Sequence, residues 1–189
     1  MSSDESTDSA DYTDSYEDVS TFNLSDDRET QLLDTQTECV FMWTTREGDP
    51  VGVVMNFVRH DGAIWLTCTR RRKRVPAIEA RPRVAVAVSS RGTDIGISQA
   101  LTYKGDATVL DDPDTLAWFY PLLAAKVRPG DADKQAAFAN HLDSPGRVVI
   151  RVDTDTRIGF DSEAMFTNSP AGATTTHIST TKSQGTADG

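Results

Sequence analysis

Three apolar, β-branched segments follow one another with only short spacers: CVFMWTT at 39–45, VGVVMNFV at 51–58 and AIWLTCT at 63–69. The spacers hold Glu47-Gly48-Asp49-Pro50 and His60-Asp61-Gly62, both turn-forming sequences. Links this short permit strands that run up and down beside one another and exclude the long crossover of a parallel pair. An antiparallel meander is therefore the element around which the rest of the chain must fold.

The remaining segments extend it. Ser25, followed by Asp26, Asp27 and Glu29, reads as a capped helix start with carboxylates in the first turn, and Leu32 and Leu33 face a core. After the meander, Val75, Ala77 and Ile78 give one apolar side to a short helix that has Pro76 in its first turn and stops at Arg81-Pro82. VAVAVSS (84–90) is a near-continuous apolar strand, expected to be buried on both faces. A long strand over 97–110 is expected to bend or bulge at Gly105. Asp111-Asp112-Pro113-Asp114 opens a helix, LAWFYPLLAAKV, with a kink expected at Pro121. A second helix spans about 132–142, and 147–160 forms a last strand. The expected fold class is mainly β with peripheral helices: a six-stranded antiparallel β-barrel, closed or nearly so.

Both ends differ in kind. Residues 1–24 contain seven carboxylates (Asp4, Glu5, Asp8, Asp11, Asp14, Glu17, Asp18) and no Lys or Arg. Such a segment has too little to bury to offset its ordering entropy, so 1–24 is expected to be a disordered acidic tail. It also carries most of the formal net charge of -10, so the acidity says little about what the domain binds. Residues 164–189, rich in Thr, Ser, Gly and Ala, read as a second tail, which leaves 25–163 as the folded unit. No apolar run follows a basic start and none reaches about 18 residues, so the expectation is a cytoplasmic protein with neither secretory signal nor membrane contact. Cys39 and Cys68 are not spaced as a metal or redox pair and read as buried core residues. His60 and His141 fall at a turn and near a helix end and read as solvent-facing; His177 falls in the second tail. Trp43 and Trp65, on adjacent strands, read as core, with lining of a ligand pocket as the alternative. Trp118, Phe119 and Tyr120 read as core or interface packing, or as a substrate wall.

Five consecutive cations, Arg70 to Arg74 with Lys73 among them, follow the third strand. They are short of what nucleic-acid binding needs and sit in an acidic chain, so no nucleic-acid partner is expected. A merely solvated basic face is one reading. The other is a phosphate site, in which Thr67 and Thr69 hydroxyls at a strand end, the loop cations and free N–H groups of the following helix converge on one dianion.

The order GDPVGVVMNFVRHDGAIWLTCTRRRKRVPAIEARPRVAVAV resembles the pyridoxamine 5'-phosphate oxidase-like split barrels, the FMN- and deazaflavin-binding group. The likeness rests on Gly48 and Pro50, Asp61 and Gly62, Trp65 and Thr67, Ile78, the run Arg81-Pro82-Arg83-Val84, and YKGDATVLDDPD at 103–114. It spans about 35–160 and implies a split barrel, a homodimer and a cofactor at the subunit interface. It further implies that Thr67 and Thr69 offer hydroxyls to the cofactor phosphate and that Arg72, Lys73 and Arg74 supply the cations, the family lysine falling at Lys73 or Arg74. Val53, Val54 and Met55 would lie along the ring system through their backbone, and Gln99 would stand at the family's glutamine position. The family's phosphate-loop serine is Arg71 or Arg72 here, its helix Asn is Ala77, and its C-terminal Trp and Arg have no counterpart after Phe160. These departures point away from vitamin B6 oxidation, towards a relative with another small-molecule substrate. The implied activity is hydride transfer to or from a small conjugated substrate, with FMN as cofactor or the deazaflavin coenzyme F-420 as the alternative. A non-catalytic flavin- or haem-binding module is the competing class.

Overall fold

Ser25 accepts a hydrogen bond from the Arg28 amide and caps α1 (Asp26–Thr35), whose Leu32 and Leu33 are fully buried. The computed structural model describes residues 21–168. The meander follows as β1 (Glu38–Thr44), β2 (Pro50–His60) and β3 (Ala63–Thr69). Asp61 and Gly62 both take positive φ, 48° and 74°, which gives the β2–β3 hairpin a turn twisted in the same sense as its strands. Next come α2 (Arg74–Ala80), β4 (Arg83–Ser89), β5 (Gln99–Leu110), α3 (Pro113–Val127), α4 (Ala132–Leu142), β6 (Arg147–Asp161) and α5 (Ser162–Asn168).

The strands close in the order β1-β2-β3-β6-β5-β4, all neighbours antiparallel. β1 pairs with both β2 and β4, and this double pairing shuts the barrel. Inside, Phe41, Phe57, Leu66, Val86 and Ile150 are fully buried; burial of such side chains contributes about 1.5–3 kcal/mol each. A second apolar layer lies outside the wall, where Trp65 and Val149 pack beneath Phe119 and Leu123 of α3 and Leu142 of α4. Trp118 meets Trp65 edge-on at 4.8 Å and the tilted His60 ring at 4.5 Å, so the aromatic run of α3 serves packing. Trp43 belongs to the barrel interior.

The bulge falls at Lys104/Gly105, as expected. A Cβ on Gly105 would collide with the Asp153 carbonyl and come within 2.8 Å of Thr154 Cα, so only glycine lets β5 and β6 approach there. Three details differ from the sequence reading. β4 is not buried on both faces: Val84, Val86 and Val88 point inward, while Ala85, Ala87 and Ser89 are partly exposed. Phe22 and Leu24, assigned to the acidic tail, are buried, and the Phe22 carbonyl accepts a bond from the Asp161 amide at 2.7 Å. At the other end the helix α5 continues past residue 163, and Arg28 holds both Asp161 and Glu163 there. Residues 1–20 and 169–189, where the two tails are expected, lie outside the described residues. No described helix is long and apolar enough to cross a membrane.

Candidate functional site

Strands β2 and β3 stay paired only from the hairpin turn to Phe57↔Leu66. Beyond that point β2 continues along β1, down to Thr44↔Pro50, while β3 continues along β6, out to Thr69↔Arg147. The wall therefore opens between Val54–Asn56 on one side and Thr67–Thr69 on the other. The Phe57 amide bonds to the Thr37 carbonyl, so Phe57 turns its backbone polar groups towards the β1 side. By the alternation of an antiparallel ladder, Asn56 and Val54 turn theirs the other way, into the opening. Strand edges left unpaired in this manner are donors and acceptors ready for a planar heterocycle.

A cleft of about 440 Å³ fills this opening. Its floor is Val54, Met55, Asn56, Thr67, Cys68 and Thr69; Phe138, His141 and Leu142 of α4 and Leu123 of α3 form one wall; Arg72, Arg74 and Arg147 form the rim. No carboxylate lines it. Alternation along β3 places Thr67 and Thr69 on one outward face, and Arg147 stands directly opposite Thr69 on β6. The Thr67 hydroxyl donates to the Val148 carbonyl at 2.8 Å, which leaves its lone pairs free to accept. Arg74 is held by its contacts, with Nη1 3.0 Å from Met55 Sδ and its guanidinium 5.5 Å from the Trp43 ring centroid. The Asn56 side chain donates to the Thr37 carbonyl, which ties β2 to the start of β1. Burial pushes the Cys68 thiol up, against the pull of Arg74, Arg147 and Arg72 around it.

The Nε of Arg147 is buried and has no hydrogen-bond partner among the described residues. A buried guanidinium N–H left orphaned costs about 1–3 kcal/mol, a cost that an anion reaching it would relieve; the Nε of Arg151, outside the cleft lining, is orphaned in the same way. With two more arginines and two threonine hydroxyls beside Arg147, the donor set fits a phosphate monoester.

Of the residues singled out from sequence, Val54, Met55, Thr67, Thr69, Arg72 and Arg74 meet in this cleft. Val53, Lys73 and Gln99 do not line it. Val53 packs against the barrel core. Lys73 precedes α2 with its side chain exposed, and Arg71 is likewise exposed. Arg70 is committed to Glu79 and Asp111. Gln99 is 3% exposed, at the far end of β5 opposite Asp161, whereas Thr67 pairs with Val149, twelve residues away along β6. The expected gift of amides from the α2 N-terminus also shrinks: the helix is seven residues long, the Val75 amide is bonded to the Arg72 carbonyl, and Pro76 has none. Sequence reasoning missed Arg147, Phe138, His141 and Leu142. Arg147 carried a faint signal, a cation opening a strand after a Ser-Pro-Gly turn.

One further surface adjoins the cleft. The registers align Val54, Val40, Ala87, Thr102 and Ile158 in a row across the outside of β2, β1, β4, β5 and β6. Val54 is 64% exposed, Val40 37% and Ile158 49%. Val54 belongs both to this apolar face and to the cleft.

A sequence profile of the pyridoxamine 5'-phosphate oxidase family matches residues 27–158, and the chain belongs to that family. Solved structures share the fold. A conserved hypothetical protein of Mycobacterium tuberculosis aligns with a TM-score of 0.66 at 15% identity, over 76% of this chain and 89% of its own. An FAD-binding protein of Mesorhizobium loti aligns with a TM-score of 0.51 at 17% identity, over 72% and 94%. General Stress Protein 26 of Bacillus anthracis aligns with a TM-score of 0.50 at 20% identity, over 71% and 92%. No curated protein matches the chain.

Proposed function

We propose that the protein is a flavin- or deazaflavin-dependent oxidoreductase that works as a homodimer, with FMN as the first choice of cofactor. The observation that carries this reading is the cleft at the β2–β3 opening, free of carboxylates, rimmed by Arg72, Arg74 and Arg147, and holding the orphaned Arg147 Nε. Family membership and the FAD-binding protein among the structures of like fold support it.

Bound there, the cofactor supplies hydride chemistry that no side chain needs to perform. In this reading Arg72, Arg74 and Arg147 hold its phosphate, and the Thr67 and Thr69 hydroxyls complete the cradle. The backbone of Val54 to Asn56 meets the edge of its ring, and Phe138 and Leu142 keep water from one side. A second copy, seated on the Val40–Val54–Ile158 face, closes the other side, because Val54 joins that face to the cleft.

The test is the absorbance spectrum and mass of whatever small molecule co-purifies with the full chain. Reconstitution with FMN or F-420 follows, and then a bleaching assay of the reduced cofactor with candidate conjugated acceptors. Tight binding without turnover would favour a non-catalytic binding protein. Absence of binding to either cofactor would remove the proposal.

A further inference from the structure

Among the described residues no hydrogen bond or ion pair joins α4 to a strand. Leu142 is its one buried residue, and Phe138 and Ala139 add partly buried surface to the same apolar layer. The polar contacts at its start stay local to the turn before it. The Gln135 side-chain amide donates to the Arg128 carbonyl at 2.9 Å, Lys134 pairs with Asp131, and the Arg128 guanidinium lies 5.4 Å from the Phe138 ring centroid. Gly130 before the helix and Gly146 after it take positive φ, 76° and 75°, each next to a proline, Pro129 and Pro145. Such turns can absorb a rotation at either end of a helix. The Gly146 carbonyl accepts from the Arg70 amide at 2.7 Å, which fixes the far side of the second turn to the barrel.

The pose of α4 over the cleft leaves polar groups unmet. Tyr120 on α3 faces α4 across a groove shared with Ala139, Asn140 and Asp143, and its buried hydroxyl has no partner among the described residues. The charges of Arg147 and Asp143 both act on that phenol, so Tyr120, the end of α4 and Arg147 meet at one seam. On the cleft side of the seam the Arg147 Nε is orphaned and covered as well. Burial of one leucine and a few half-buried neighbours therefore stands against two unmet groups. By contrast α3 is held to the barrel wall by Phe119, Leu123 and Ala124, all fully buried.

We propose that α4 is a lid over the cleft, which opens on its two glycine turns in the free protein and closes when a phosphate monoester reaches Arg147. The inference rests on the anion site read above and adds how that site is entered and regulated. A donor that is buried and unmet is reached only when its cover lifts. An anion oxygen that accepts from the Arg147 Nε then removes one of the two unmet groups of the closed form, so filling the site shifts the population towards closure. Phe138, His141 and Leu142 come down together on the bound group, since all three line the cleft.

Hydrogen–deuterium exchange of the full chain in phosphate-free buffer compares peptides of α4 with those of α3. In the free protein the α4 amides are expected to exchange roughly tenfold faster, or more, than those around Leu123 and Ala124. Inorganic phosphate and, separately, saturating FMN are each expected to slow α4 roughly fivefold or more and to leave α3 unchanged. Tyr120→Phe removes one unmet group and is expected to slow α4 in the free protein while keeping the response to phosphate. Arg147→Met removes the other and is expected to slow α4 in the free protein and to abolish any further slowing by phosphate. Free α4 amides as slow as those of α3 overturn the lid. Exchange of α4 that neither ligand slows, or that phosphate still slows in Arg147→Met, overturns its coupling to the anion. Slowing by inorganic phosphate without any quenching of FMN fluorescence would remove the flavin reading and keep the lid.

Discussion

Replacing Arg147 by Met separates an anion site from a structural arginine. In the free protein the Arg147 Nε is buried without a partner among the described residues, while the side chain lines the cleft and its charge acts on the Tyr120 phenol. Met keeps an unbranched side chain there and removes an unsatisfied donor whose desolvation costs about 1–3 kcal/mol. The cofactor-free variant should therefore unfold in urea at the same midpoint as the parent or a higher one. Binding should respond in the opposite direction. A hydrogen bond to a charged phosphate contributes about 1.5–3 kcal/mol, which converts to a loss of about ten- to a hundredfold in FMN affinity. Lys73→Ala is the control: its side chain is exposed and does not line the cleft, so solvent and salt screen it and the loss should stay under about twofold. Quenching of FMN fluorescence on titration reads both variants. The reasoning fails if Arg147→Met binds FMN as the parent does, or if Lys73→Ala loses as much as Arg147→Met.

Other outcomes follow from the same geometry. Gly105→Ala drives a Cβ into the Asp153 backbone at the bulge and should cost about 3 kcal/mol in urea unfolding; an unchanged midpoint would show that β5 and β6 lie further apart. Val40→Glu puts a charge beside Val54 in the outer row and should convert the proposed homodimer to monomer in sedimentation, with weaker FMN binding and an unchanged circular dichroism spectrum; a dimer that survives would place the interface elsewhere. Lys126 has a folded value of about 8 against an ordinary 10.5, so between those two pH values the unfolded chain holds a proton that the folded chain has released. The stability of the parent relative to Lys126→Met should therefore rise across that window and stay level below it; a relative stability that falls as pH increases would contradict the buried amine.

The elements were legible because their signals are local. Asp61-Gly62 demands a tight hairpin, Ser25 with its acidic neighbours demands a helix start, and Gly105 marks the bulge; each depends on a few adjacent residues and their backbone preferences. Thr67 and Thr69 could be placed on one face from strand alternation alone. The basic loop after β3 was legible only in part, because a run of five cations does not say which side chain points where. Arg70 turns to Glu79 and Asp111, Lys73 to solvent, and Arg74 folds back over Trp43 and Met55.

The amino-acid sequence by itself determined the strand and helix order, the meander, and the presence of a run of five cations after β3, since all three follow from nearest-neighbour chemistry. Only the tertiary structure decided that β2 and β3 part after Phe57, that Arg147 arrives opposite Thr69 from 78 positions further along the chain, and that α4 roofs the opening. The physical reason is barrel closure. Which strand edges remain unpaired depends on the register of all six ladders together, and no local segment carries that information.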